Sequence, residues 1–164
     1  MNFTAELVDV PSTFTDLEKT YYNKPCCYCS KTQLKVSAVC LLCGKLVCVR
    51  DRCQDFPEGM LCHHAKHEEG GQCIYLLTNT GQIILVADDG LVCDKLSSPY
   101  RTQFGECYSS SISNEDRASL KVDVEGGGAE YLREINHAFR TGGIPDMLVQ
   151  GRLASNYVIP RNGA

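Results

Sequence analysis

No stretch of roughly 18 consecutive apolar residues occurs in the 164-residue chain, so nothing in it reads as a membrane-spanning helix. There is no strongly basic run either, and the formal charge is −4 with a sequence pI near 5.5. Such a chain lacks the phosphate-neutralising surface that nucleic-acid binding needs, which argues against nucleic acid as a partner. The start, Met1-Asn2-Phe3-Thr4-Ala5-Glu6, has neither the basic opening nor the apolar run of a signal peptide. A Gly-rich phosphate loop, a nucleophile elbow and an H-E-x-x-H helix are all missing, since His67-Glu68 is followed by Glu69. Internal repeats and low-complexity tracts are absent too.

What the chain has in excess is cysteine. Eleven is an odd number, so complete internal disulfide pairing is impossible. Without a secretion signal, clustered thiols point to metal in a reducing compartment. The apolar fraction of 43% is ordinary for a globular protein and supports a real core.

The expected fold class is α+β: a small zinc-knuckle region packed on an antiparallel β-sheet with a few helices, forming one domain. Residues 1–25 read as a strand over 3–10, ended by Pro11, and a helix. Thr13 with Asp16, or Thr15 with Glu18, can cap that helix; Phe14, Leu17 and Tyr21 share one face, and Lys24-Pro25 stops it. Residues 26–70 carry the ligands and little regular structure, apart from short strands over 36–42 and 45–49 joined at Cys43-Gly44. Residues 71–96 form a β meander, with strands at 73–77, 82–87 and 91–95 separated by turns at 78–81 and 88–90. Residues 97–128 read as loop with a flexible Gly126-Gly127-Gly128 end. A helix follows over 129–140, stopped by Gly142-Gly143, then a short helix from Pro145 to Val149 and a tail.

The chemistry lies between residues 26 and 67. Cys26-x2-Cys29 is followed after ten residues by Cys40-x2-Cys43. A C-x2-C knuckle brings two sulfurs to one tetrahedral ion, and two knuckles complete a closed Cys₄ zinc site. Cys48, Cys53, Cys62, His63, His64 and His67 form a second pool, from which Cys48, Cys53, Cys62, His64 and His67 are the favoured ligands. The two ions could be bound sequentially or interleaved, and spacing alone does not choose. Seven zinc-bound thiolates and two zinc ions would together add about three negative charges. Cys73 and Cys93, in apolar strands, read as packing residues, Cys27 as exposed, Cys107 as a loop residue and His137 as surface. A closed Cys-rich site offers no open coordination position, so the segment alone is not expected to be catalytic.

Several segments resemble the C-terminal domain of the UBR-type E3 ubiquitin ligases, the N-recognins. Leu7-Val8-Asp9-Val10-Pro11 with Phe14 and Leu17 resembles the entry to that domain. Cys40-Leu41-Leu42-Cys43-Gly44-Lys45-Leu46-Val47-Cys48 is similar to its C-L-x-C-G-x-x-x-C segment, and Cys53 and residues 62–67 look like its next ligands. Gly70-Gly71-Gln72-Cys73-Ile74-Tyr75-Leu76 resembles its glycine-rich entry into the β region. Ser98-Pro99-Tyr100 and Phe104-Gly105-Glu106 resemble its S-P-Y-x3-[FY]-G-E element, and Tyr131-Leu132 with Ile135 its late helix. The chain departs from the family's C-x2-H-x3-C stretch: one alignment puts Glu68 at the final cysteine, another puts His67 there. It also has Glu125-Gly126-Gly127-Gly128 where the family has an arginine and proline.

The resemblance implies a zinc-stabilised regulatory and scaffolding domain of a very large RING-type ligase that ubiquitinates proteins with destabilising N-terminal residues. The substrate-binding UBR box and the RING would lie elsewhere in that ligase. Partners would be other domains of the same ligase or other proteins, in the cytoplasm, with the nucleus as a second location. The competing expectations are a free-standing zinc adaptor that binds proteins, or a RING-like module acting alone. Against the last, Cys62-His63-His64 stands where a RING ends in a C-P-x-C pair.

Overall fold

The computed structural model describes residues 7–49, 54, 56, 59–87 and 92–141. The expected strand at residues 3–6, ligand Cys53, turn at 88–90 and helix at 145–149 lie outside them, as do the side chain of Cys93 and the C-terminal tail.

Five antiparallel strands form one sheet in the order β2-β1-β3-β4-β5. They are β1 (Ser37–Cys40), β2 (Leu46–Cys48), β3 (Cys73–Leu77), β4 (Ile83–Ala87) and β5 (Val92–Leu96). The helices are α1 (Phe14–Tyr22), α2 (Met60–Glu68), α3 (Asn114–Ser119) and α4 (Gly128–Arg140). The class is therefore α+β, as expected.

Every residue of β3 and β4 is buried, because both faces of the sheet are covered. On one face Val39, Leu41, Ile74, Leu76, Ile83 and Leu85 pack with Phe14 and Leu17 of α1, Tyr100, Leu120, and Ile135 of α4. On the other, Ala38, Cys40, Cys73, Tyr75, Ile84 and Val86 pack with Ala65 of α2. A buried strand reads as continuous apolar sequence, which is what Ile83-Ile84-Leu85-Val86 shows.

Local chemistry explains most of the elements. The Thr13 hydroxyl accepts the Asp16 amide at 3.1 Å and caps α1. Ser113 does the same for α3 through the Asp116 amide. Gly44, at φ +81°, makes the β1–β2 turn, and its amide donates to the Cys40 carbonyl.

The structure corrects four expectations. Residues 97–128, read as loop, contain the short helix α3, which the Ser113 cap starts. Residues 7–10 form no strand, although the Val8 amide reaches the Leu41 carbonyl at 2.7 Å. The ligand region contains a full helix, α2. The glycine run before α4 is not a flexible end: a Cβ on Gly128 would stand 1.9 Å from the Pro99 carbonyl, and one on Gly126 2.5 Å from that of Thr102. These glycines permit close backbone contact.

Candidate metal centres

The first knuckle lies against β2. The Cys27 amide donates to the Leu46 carbonyl, and the Ser30 amide closes the turn on the Cys26 carbonyl at 2.9 Å. The Tyr28 amide points at the Cys26 sulfur, 3.4 Å away. This places Cys26 and Cys29 beside Cys48 at the end of β2, where the three sulfurs lie within 4.8 Å of one another. The Cys29 and Cys48 sulfurs are 3.7 Å apart. Two sulfurs on one zinc, each bonded at about 2.3 Å with tetrahedral angles, stand about 3.8 Å apart. The donor set therefore fits a zinc ion. Burial alone would push the Cys26 thiol up, but the amides of Tyr28, Cys48 and Cys29 bring it down to about 7.

A second group forms between the β1–β2 turn and α2. Cys40, Cys43, His64 and Glu69 offer ligand atoms within 4.8 Å of one another. His64 is fully buried. Its Nε2 is 3.5 Å from the Cys43 sulfur and 3.7 Å from a Glu69 carboxylate oxygen. Its Nδ1 faces Glu68 at 2.7 Å and the Tyr28 hydroxyl at 3.2 Å. An imidazole that gives its Nδ1 proton to a carboxylate keeps its Nε2 lone pair for a metal, and its ring is held in place. The Cys73 thiol, against burial and with help from His64 and the Cys43 and Leu42 amides, holds Cys40 down at about 4. Burial and the neighbouring Cys40 thiolate push Cys43 up to about 12. Burial would lower His64, but Cys40, Glu68 and Glu69 together raise it. Cys40, Glu68 and Glu69 around one imidazole make the pocket electronegative, which suits a cation.

The two knuckles do not converge on one point. The β1–β2 register sets Cys48 opposite Ser37, three residues from Cys40. At about 3.3 Å per strand residue, Cys40 and Cys48 stand at opposite ends of the hairpin, about 10 Å apart. Cys26-Cys29 therefore meets Cys48, while Cys40-Cys43 meets His64, and the groups interleave along the sequence. Of the expected ligands, Cys53 lies outside the described residues, and Cys62 and His67 belong to neither group. The His67 ring lies 4.3 Å from that of His63, which stacks on Phe56 at 3.4 Å. Glu69 was missed, because a carboxylate one residue past a helix end looks like any surface acid. Its nearest signal was the alignment that put Glu68 at a ligand position; the structure turns Glu68 to Nδ1 and Glu69 to the other side of the ring.

Comparison with known proteins gives this arrangement a setting. The sequence model of the Proteolysis_6 C-terminal family matches residues 2–109. The zebrafish (Danio rerio) E3 ubiquitin-protein ligase ubr3 is 34% identical over 131 residues, covering 78% of this chain and 6% of its own length. The human E3 ubiquitin-protein ligase UBR3 is 34% identical over 83 residues, covering 49% of this chain and 4% of its own. The Drosophila melanogaster Ubr3 ligase is 32% identical over 83 residues, with the same coverage. The chain thus spans a small fraction of these relatives.

Proposed function

Because the chain belongs to the Proteolysis_6 C-terminal family, an ubiquitin-ligase-related family of C-terminal domains, we propose that it is the zinc-stabilised regulatory and scaffolding domain of a UBR-type ligase. In this reading it serves the ubiquitin-dependent degradation of proteins bearing destabilising N-terminal residues, in the cytoplasm or nucleus, and its partners are other domains of the same ligase.

The observation that carries the zinc part is the interleaved pair of ligand groups inside the segment the family matches. Cys26, Cys29 and Cys48 hold one ion, with Cys53 supplying the fourth ligand. Cys40, Cys43 and His64 hold the other. Bound zinc would supply cross-linking and no reaction step: four thiolates would close the first sphere, and Cys40, Cys43 and His64 with a fourth protein ligand would close the second. The chain's own residues do the rest. Glu68 and Tyr28 orient His64, β1 and β2 fix the spacing between the centres, and α2 clamps one centre to the sheet. The product is a rigid surface that other domains can dock on.

Three measurements test this. The purified chain should carry two zinc ions and build no ubiquitin chains with a conjugating enzyme. In a ligase that contains it, the zinc-site variant His64→Ala should alter autoubiquitination or substrate turnover although the RING is intact. Ubiquitin-chain synthesis by the isolated chain would contradict the scaffolding role.

A further inference from the structure

We propose that Cys73 is the fourth ligand of the second centre, in place of Glu69, making it a Cys₃His site; this rests on the zinc reading above. Cys73 opens β3 and is 1% exposed. Its sulfur lies 3.3 Å from that of Cys40, on the sheet face that α2 covers.

Two buried thiols in such contact need a reason. A disulfide is a poor one. The β1–β3 register pairs Cys40 with Tyr75, which makes Cys73 its diagonal neighbour. Diagonal neighbours are about 7–8 Å apart, whereas a disulfide needs Cα atoms about 4.4–6.8 Å apart. A shared zinc reaches further, since its two sulfurs stand about 3.8 Å apart. The Cys29–Cys48 pair of the first centre has that separation, at 3.7 Å.

Glu69 and Cys73 bracket one turn. The Gly71 amide closes α2 on the Ala65 carbonyl at 2.8 Å, and the chain then enters β3. Glu69 thus approaches the group at His64, and Cys73 approaches it at Cys40. Closed structural zinc sites take cysteine and histidine, and soft thiolate outcompetes hard carboxylate for zinc in a dry pocket. The Glu69 side chain keeps 13% exposure, while Cys73 has no water to lose. Cys73 now meets the group through Cys40 and is not one of the four residues mutually within 4.8 Å.

The test uses the full chain loaded with zinc or cobalt, as wild type, Cys73→Ala, Cys73→Ser, Glu69→Gln and Glu69→Ala. Replacing Cys73 should weaken binding of one ion at least tenfold and reduce the sulfur-to-cobalt charge-transfer band. Replacing Glu69 should leave both unchanged. Zinc X-ray absorption on the wild type needs no variant to fold: about 3.5 sulfurs per ion, averaged over a Cys₄ and a Cys₃His centre, is expected, against about 3.0 if Glu69 ligates. Two bound ions with Glu69-dependent affinity, or with the lower sulfur count, overturn the Cys73 assignment alone. A chain that binds one ion or none overturns the zinc reading and this assignment with it.

Discussion

The two faces of the sheet bury similar strands against unlike partners. On the α1–α4 face the contacts are hydrocarbon and aromatic: Phe14, Leu17, Tyr100 and Ile135 close over Leu76, Ile83 and Leu85. On the α2 face a thinner apolar layer of Ala38, Ala65, Ile84 and Val86 surrounds Cys40, Cys73 and the buried His64. Hydrophobic burial is non-directional and tolerates small adjustments. Ligation by thiolate and imidazole is directional and fails when one donor is lost. The first face should therefore weaken gradually under perturbation, and the second should fail abruptly.

Zinc removal should separate them most. Structural zinc contributes about 10–16 kcal/mol of binding energy in small domains, comparable with the whole stability of a typical domain at roughly 5–15 kcal/mol. Strong chelator should abolish amide protection over residues 26–36, 41–48 and 60–69. Hydrogen exchange should find β3 and β4 still the best protected strands, and equal loss in both regions would erase the distinction between the faces.

On the apolar face Leu85→Ala should cost about 2–5 kcal/mol by transfer and cavity terms. Urea unfolding of the zinc-loaded chain checks this, and zinc content should stay at two ions. Gly128→Ala should cost about 1–3 kcal/mol, as overpacking does, because the new methyl meets the Pro99 carbonyl. Removing the α1 cap with Thr13→Ala should cost about 1 kcal/mol, read as a fall in the thermal midpoint.

The effect of pH should be greatest on the metal face. The Cys26 thiol lies below its ordinary value, at about 7. A thiolate stabilised in this way contributes fully above the unfolded thiol's value near 9, and its contribution is lost as pH falls through 7. Zinc retention should therefore decline as pH falls through and below 7, where protons compete with zinc for the Cys26 thiolate, as a chromophoric chelator would report. Retention that improves over that range would reverse the sign.

Much of the apolar side was legible in the sequence because its signals are local. Thr13 with Asp16 announces α1, Phe14 and Leu17 mark its buried face, and Thr78-Asn79-Thr80-Gly81 separates β3 from β4. Helix α4 followed from Leu132, Ile135 and Phe139 at helical spacing. The misses came from tertiary structure. Gly59 opens α2 without a side-chain cap, so that helix has no start signal. The glycines before α4 look flexible until Pro99 and Thr102 are brought against them.

The ligand pool shows the same division. Paired cysteines announce a metal locally, whereas the grouping of knuckles depends on strand register. Cys40 and Cys48 are eight residues apart in sequence, yet β1–β2 pairing sends them to opposite ends of a hairpin. Cys73 looks like an ordinary strand cysteine until β1–β3 pairing brings its sulfur to Cys40.

The interleaved grouping is tested most directly by cysteine alkylation, mapped residue by residue, in the zinc-loaded His64→Ala chain. Cys40 and Cys43 should become reactive while Cys26, Cys29 and Cys48 remain protected. Exposure of Cys48 while Cys26, Cys29, Cys40 and Cys43 all stay protected, as one ion shared by the two knuckles would give, would contradict it.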